Sequence, residues 1–366
     1  MTEKIKNITL VVITAVFLFG FLLWGIIKPT DKESLSERRP LAEFPSLSAD
    51  TVFSGSFMTD FEKYTLDQFP LRDSFRTVKA ITAFYVFGQK DNNDIYIKDG
   101  FASKLDYPLN EESIDHAASR FNYVYERYLK DNCGKVYISV IPDKNFFMAE
   151  QNGYPSLDYD KLIADLRAET DFAEYINITH LLELSDYYCT DSHWRQEKIT
   201  DVAKFLAEKM GVSLSGDFES NRVDAPFHGV YYGQSALPLP ADELYYLEDD
   251  VLKNCKVYDL ETDSYIPVYN LEKTEEKDPY EMYLSGSKSL LTLENTKADT
   301  DKELIIFRDS FGSSLAPLLL EGYAKITLVD IRYLSPELLS NFIDFNGQDV
   351  LFIYSTSVLN NSIMIK

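Results

Sequence analysis

Two short segments carry side chains able to run nucleophilic acyl transfer. That chemistry needs a hydroxyl against an imidazole, a carboxylate to orient the imidazole, and donors for the developing oxyanion. The chain has four histidines, so the search is short. His193 stands in Thr190-Asp191-Ser192-His193-Trp194, ahead of a stretch in which Ile199, Val202, Phe205, Leu206 and Met210 recur at helical spacing. An acid two residues before a histidine, on a loop entering a helix, can turn back so that its carboxylate meets Nδ1 and leaves Nε2 free as a general base. A simple N-terminal helix cap explains Asp191 equally well. His116, in a long helix, and His180, in NITHLLEL, read as structural. His228, in FHGVYYG, either lines a pocket or is an ordinary loop residue.

The second segment is Phe307-Arg308-Asp309-Ser310-Phe311-Gly312-Ser313-Ser314. A serine directly after a short apolar run, at the turn into a helix, falls at the carboxyl end of a parallel strand, where open α/β sheets bind ligands. The backbone N–H groups of the following turn and helix start can receive negative charge, as an oxyanion hole requires. Asp309 is expected to hold this turn by local hydrogen bonds. The plainer reading is that Asp309 and Ser310 only cap the helix.

For these loops to meet, a sheet must bring them to one edge. Residues 135–141 (KVYISVI) read as a buried parallel strand, followed by a helical 159–167 and a short strand at 175–178. The same grammar resumes with strands at 304–307 (LIIF), 326–329 (ITLV) and 350–354, with helices near 314–320 and 336–342 between them. Parallel strands need crossover connections of a dozen or more residues, and the gap from 307 to 326 supplies one. An α/β fold with a doubly wound, mostly parallel sheet follows. Between the halves, about 216–298, KVYDLETDSYIPVYNLE has the alternation and turn residues of a hairpin, so this stretch reads as a β-rich insertion. Residues 53–87 read as two helices interrupted by Pro70, and 110–130 as another amphipathic helix.

Residues 8–27, ITLVVITAVFLFGFLLWGII, carry no charge and are long enough to cross a hydrocarbon core of ~30 Å. The run exceeds a usual signal-peptide core and GIIKPTDKE offers no small-x-small cleavage site, so residues 1–28 read as an uncleaved signal anchor. Lysines and arginines flank both ends, so charge alone does not set orientation. The bulk is assigned outside the cytoplasm, because a single span has little to do on a wholly cytoplasmic enzyme. The polar, proline-bearing 29–50 reads as an extended stalk and 51–366 as the folded domain. The net charge of −23 is spread along the chain, and no basic cluster interleaves with aromatics, which argues against nucleic acid as partner. Cys133, Cys189 and Cys255 are dispersed and odd in number, and with four scattered histidines they suggest no metal site.

Taken in order, TDSHW, FRDSFGSSLAPLLL and KITLVDIRYL resemble the DHHW family and the related alginate O-acetylation proteins, which carry an SGNH-hydrolase-like domain. FEKYTLDQFPLRDSF, DIYIKDGFASK, VIPDKNFFM and HGVYYGQSAL agree, so the resemblance runs from about residue 39 to the C-terminus. It implies an SGNH-hydrolase-like fold, Asp191 and His193 as acid and base, and Ser310 as nucleophile. Arg332 matches an arginine typical of the family and is expected to line the substrate pocket, with a structural ion pair as the alternative; Asp309, Trp194, His228 and Tyr333 are further candidates for the pocket lining. Ser192 stands where the family has its first histidine, and Arg308 where an SGNH block has glycine. The implied activity is acetyl transfer to or from a cell-surface polysaccharide, without a cofactor. Acetyl-CoA is cytoplasmic and charged, so the expected donor route is a membrane-bound O-acyltransferase partner. The same domain with water as acceptor would be an acetylesterase. A catalytically silent carbohydrate-binding or scaffolding component of a cell-envelope assembly is the reading from a different class.

Overall fold

The computed structural model describes residues 2–366. The chain divides into two compact units, Met1–Asn93 with Tyr232–Pro238, and Asp94–Tyr231 with Leu239–Lys366.

In the first unit, helix α1 (Glu3–Ile27) is unbroken, has no buried residue, and is long and apolar enough to cross a membrane. Helices α2 (Ser56–Asp67) and α3 (Arg72–Ile81) are separated at Pro70, whose ring and missing N–H end a helix. Residues expected as an extended stalk are tied to these helices. Arg39 forks onto Asp67 at 2.9 and 2.6 Å, and its hydrogen bonds hold the Asp67 carboxyl down to about 2. The Gln68 side chain bonds the backbone of Asp31 and Ala42, and Glu37 sits between Arg72 and Arg76 at 2.6 and 3.1 Å. A proline-bearing polar segment looks like a linker in sequence because these partners lie many positions further on.

The second unit is built on an eight-stranded mixed sheet. Its strands in chain order are β1 (Val136–Ile141), β2 (Glu174–Tyr175), β3 (Lys256–Asp259), β4 (Ser264–Ile266), β5 (Leu290–Glu294), β6 (Glu303–Arg308), β7 (Lys325–Val329) and β8 (Asp349–Ser355). The order across the sheet is β4-β3-β5-β7-β6-β8-β1-β2. From β7 to β2 every pairing is parallel, while β4, β3 and β5 extend the sheet antiparallel. The expected hairpin at KVYDLETDSYI is thus part of the main sheet. The other hairpin of that region, Glu219–Phe227 with Asp242–Glu248, stands as a separate two-stranded sheet.

Alternation along each central strand decides which face it feeds. Leu304, Ile306, Leu351, Ile353, Ile326 and Leu328 pack under helices Thr200–Lys209 and Gly312–Leu319. Ile305, Phe307, Val350, Phe352, Ile138 and Val140 pack under helices Glu111–Val124 and Tyr159–Glu169. Phe307 and Phe352 stack on neighbouring strands with ring centroids 4.7 Å apart. Each such side chain contributes about 1.5–3 kcal/mol on burial, so both faces are committed and the register is fixed. Because β1, β6 and β8 are parallel, Pro142–Asp143, Asp309–Ser310 and Ser355 all emerge at one edge.

Candidate active site

The turn after β6 is held by Asp309. This carboxylate is fully buried, takes the Phe311 N–H at 3.0 Å, and takes the Ser355 N–H at 2.7 Å, which ties the end of β6 to the end of β8. Helix Gly312–Leu319 follows with Phe311 as its cap residue and no side-chain cap, so Ser310 is left half-buried with its hydroxyl unused for capping. The N–H groups of Phe311, Gly312 and Ser313 donate to Asp309 Oδ1, Asp309 O and Ser310 O. This corrects the expectation that the turn and helix start offer open donors. Among the described residues, the Ser310 N–H is the donor of that turn left without an acceptor.

The histidine loop folds back on itself through a bridge between Tyr187 and Trp194 and a Tyr188 N–H to His193 O bond of 3.1 Å. Asp191 is fully buried and accepts from its own loop, the His193 N–H at 3.1 Å, and from a second segment, the Val230 N–H at 2.8 Å. That second segment can approach only because residue 229 is glycine. A Cβ there would lie 2.3 Å from Asp191 Cβ and 2.5 Å from its backbone N and Cα. The Asp242 carboxylate takes the N–H groups of Cys189 and Thr190 at 2.7 and 2.8 Å and the Thr190 hydroxyl. Lys144, buried at the carboxyl end of β1, donates to the carbonyls of Tyr188 and Cys189 at 2.9 and 3.2 Å. Burial pulls the Lys144 pKa down to about 8, with the nearby Asp191 and Asp242 charges acting against it.

The two loops meet at the imidazole. His193 Nδ1 lies 2.6 Å from Asp191 Oδ1 and Nε2 lies 2.7 Å from Ser310 Oγ, across 117 positions of sequence. An ionised carboxylate only accepts, so the Nδ1 side carries the proton and Nε2 faces the serine hydroxyl as an acceptor. The ring is clamped by Tyr280, stacked 9° from parallel with centroids 3.8 Å apart, and by Phe311 at 4.8 Å. Ser314 Oγ accepts the Trp194 indole N–H at 2.9 Å, shares a hydrogen bond with the Tyr280 hydroxyl at 2.8 Å, and lies 3.3 Å from Phe311 O. Asp191, His193 and Ser310 are therefore brought together with the geometry of a proton relay.

The residues expected around the pocket divide differently. Trp194 and Asp309 are fully buried braces, not walls open to a ligand. Arg332 grips the buried Asp330 through Nε at 2.9 Å and Nη2 at 2.7 Å. Burial alone would lower its pKa, but the hydrogen bonds and charge of Asp330 outweigh it and the net direction is up. Its observed partner is thus the ion pair. Arg332 also lies over the ring of Tyr333, which is 47% exposed. His228 is half-buried and immediately precedes Gly229. Arg308 is buried, with its guanidinium 3.3 Å from Asp309 O, 3.5 Å from Lys288 O and 3.8 Å from the Asp330 carboxylate. Gly312 leaves room for it, since a Cβ there would meet Arg308 Cβ at 2.7 Å. His116 bonds Ser362 at 3.0 Å and the exposed His180 packs edge-on against Phe205.

Sequence reasoning missed Gly229, Tyr280, Asp242 and Lys144. The glycine and the lysine lie inside segments that carry the family resemblance, HGVYYGQSAL and VIPDKNFFM; Tyr280 and Asp242 carry no sequence signal.

No protein-family model and no curated protein matches the chain. Among solved structures, a DHHW family protein from Eubacterium siraeum DSM 15702 is similar with a TM-score of 0.60 and 19% identity, over 75% of this chain and 95% of that one. Bacillus cereus PatB1 is similar with a TM-score of 0.59 and 17% identity, over 74% of this chain and 98% of that one. PatB1 carrying a sulfonyl adduct gives the same TM-score with 15% identity, over 74% and 96%. At such identities the likeness is one of fold, and it includes a member of the family whose motifs the sequence resembles.

Proposed function

We propose that this chain is a membrane-anchored, extracytoplasmic O-acyltransferase of the SGNH-hydrolase type, moving an acetyl group to or from a cell-surface polysaccharide through an acyl-serine. The observation that carries this reading is the Asp191–His193–Ser310 relay, with links of 2.6 and 2.7 Å at the carboxyl edge of a parallel sheet.

In the first half-reaction, Ser310 Oγ attacks the acetyl carbonyl as its proton passes to His193 Nε2. Asp191 stabilises the imidazolium, and the Ser310 N–H is the candidate donor to the oxyanion. The carbon–oxygen bond to the donor then breaks, and His193 returns the proton to the departing alcohol. In the second half, His193 takes a proton from a sugar hydroxyl, that oxygen attacks the acetyl-serine, and Ser310 leaves with the proton. With water as acceptor the same cycle is an esterase. A membrane-bound O-acyltransferase remains the proposed source of acetyl groups. A silent carbohydrate-binding scaffold would need neither the serine–imidazole contact nor the buried acid behind it.

The test is peptide-resolved mass spectrometry after exposure to p-nitrophenyl acetate or to a sulfonyl fluoride, the latter chosen because a fold neighbour carries a sulfonyl adduct. The adduct is expected on Ser310 and is expected to vanish in Ser310→Ala. Undiminished labelling of that variant would refute the assignment. Adding an oligosaccharide acceptor then separates transfer from hydrolysis, because transfer consumes the acetyl-serine faster in its presence.

A further inference from the structure

The first unit carries an apolar stripe that stays largely exposed among the described residues. Leu71, Phe75, Val78 and Tyr85 follow one another at intervals of four, three and seven along α3 and its continuation through Thr82–Val86. They are 52, 39, 61 and 76% exposed, and Val86 beside them is 70% exposed. The side of the helix flanking Phe75 is charged and satisfied, with Arg72 and Arg76 on Glu37 and Lys79 on Asn92 at 3.1 Å. Soluble surfaces rarely leave a contiguous stripe of this kind open.

The stripe is continuous with α1. Phe21 of α1 stacks on Phe69 with centroids 5.4 Å apart and planes 2° from parallel, and meets Phe75 edge-on at 5.6 Å. Pro70 lies against Gly25, where an added Cβ would be 3.7 Å from the proline ring. A cavity of about 770 Å³ with a mainly apolar lining runs between α1 and Phe44, Phe61 and Phe69. Phe21 is six residues from the end of α1 at Ile27, which is roughly 9 Å along the helix axis. If α1 spans the bilayer, Phe69 and Phe75 therefore lie below the headgroups, at the ~5–10 Å depth to which amphipathic interfacial helices sink.

We propose that α3 and its continuation through Val86 form a second, interfacial membrane contact, with the Leu71–Val86 stripe in the acyl chains of the outer leaflet beside the anchor. This rests on the reading of α1 as an uncleaved anchor. The arginines of α3 are already paired with Glu37, so the contact depends on apolar burial and needs no anionic lipid. A membrane-protein partner seated on the same stripe is the competing occupant, and the test separates the two.

The full chain carrying Trp24→Phe retains buried Trp194 as its native tryptophan. It is reconstituted alone in phosphatidylcholine vesicles, with or without a spin label at a shallow acyl carbon. In that background Tyr85→Trp, a mild exchange at an exposed site, is expected to lose at least about half of its added emission to the label, and Val78→Trp likewise. If neither is quenched beyond the background protein, the stripe does not enter lipid and the proposal falls; a protein occupant would give that result. Alkaline carbonate extraction of the same vesicles checks the anchor separately. Retention with quenching supports both readings, retention without quenching removes the interfacial contact alone, and release of the chain removes both.

Discussion

The turn that carries Ser310 is held almost entirely by its own residues. Asp309 takes the Phe311 N–H, Gly312 and Ser313 close on Asp309 and Ser310 carbonyls, and the reach outside is the Ser355 N–H on the adjacent strand. The loop that carries His193 is held from afar: Asp242 is 52 to 53 positions away, Val230 is 39 positions from Asp191, and Lys144 lies 44 to 45 positions before the carbonyls it binds. One half of the relay is a local product of strand and helix. The other is a loop clamped by a carboxylate, an ammonium and a close backbone approach from separate segments. Damage far from the serine in sequence should therefore act through the histidine half and leave the serine turn in place.

The largest break is expected at Gly229. An alanine methyl must displace the backbone of Asp191, because the atoms it meets are the acid's Cβ at 2.3 Å and its own N and Cα at 2.5 Å, not the end of a flexible side chain. Pushing this segment away removes the Val230 N–H from the carboxylate and lets Asp191 and His193 drift. Gly229→Ala should slow acylation of Ser310 about 100-fold or more, equivalent to ~3 kcal/mol in the barrier. The near-ultraviolet circular dichroism of the core should remain. The check is the rate of sulfonyl labelling at Ser310, and a rate within threefold of the parent would erase the contrast between the two halves.

The same contrast explains what could be read in advance. The strand–serine–helix element is legible because an apolar run, an Asp-Ser pair and a helical stretch occupy fewer than twenty consecutive residues. Asp191 and His193 are legible as a pair because they are two residues apart. The clamps are not, since nothing about Asp242 or Tyr280 in sequence says which loop each will meet. Trp194 illustrates a related ambiguity: an aromatic beside a histidine reads equally as pocket wall or core brace, and only the hydrogen bond to Ser314 under helix Gly312–Leu319 decides it. Composition misleads again at 29–50, where the ion pair of Arg39 with Asp67 ties down a segment that looks like a linker.

Lys144 offers a second way to separate the halves. Its folded pKa is about 8 against 10.5 for the free group, with burial as the main cause. Between those values the unfolded chain binds more protons than the folded one, so the native state gains stability as pH rises through that window, and below about 8 the cost of burying the ammonium is present in full. Lys144→Met removes this titration. The stability of the parent relative to the variant should rise between pH 8 and 10.5, by on the order of 3 kcal/mol for a shift of this size. Parallel denaturant curves at several pH values measure it, and a constant difference across that range would mean that the lysine is not a buried charge.

Tyr280 supplies the smallest and sharpest comparison, because one side chain serves the two halves in two ways. Its face stacks on the His193 ring, while its hydroxyl hydrogen-bonds Ser314 on the helix that follows the serine. Tyr280→Phe keeps the stack and deletes the hydroxyl, and Ser314 Oγ still receives the Trp194 indole N–H and has Phe311 O within reach as acceptor. The loss of one neutral hydrogen bond whose partner stays satisfied should cost ~1 kcal/mol of stability, read from denaturation midpoints. Acylation of Ser310 should stay within about threefold of the parent, since the imidazole keeps its clamp. A much larger fall in acylation with unchanged stability would show that the hydroxyl, not the ring face, sets the position of the base.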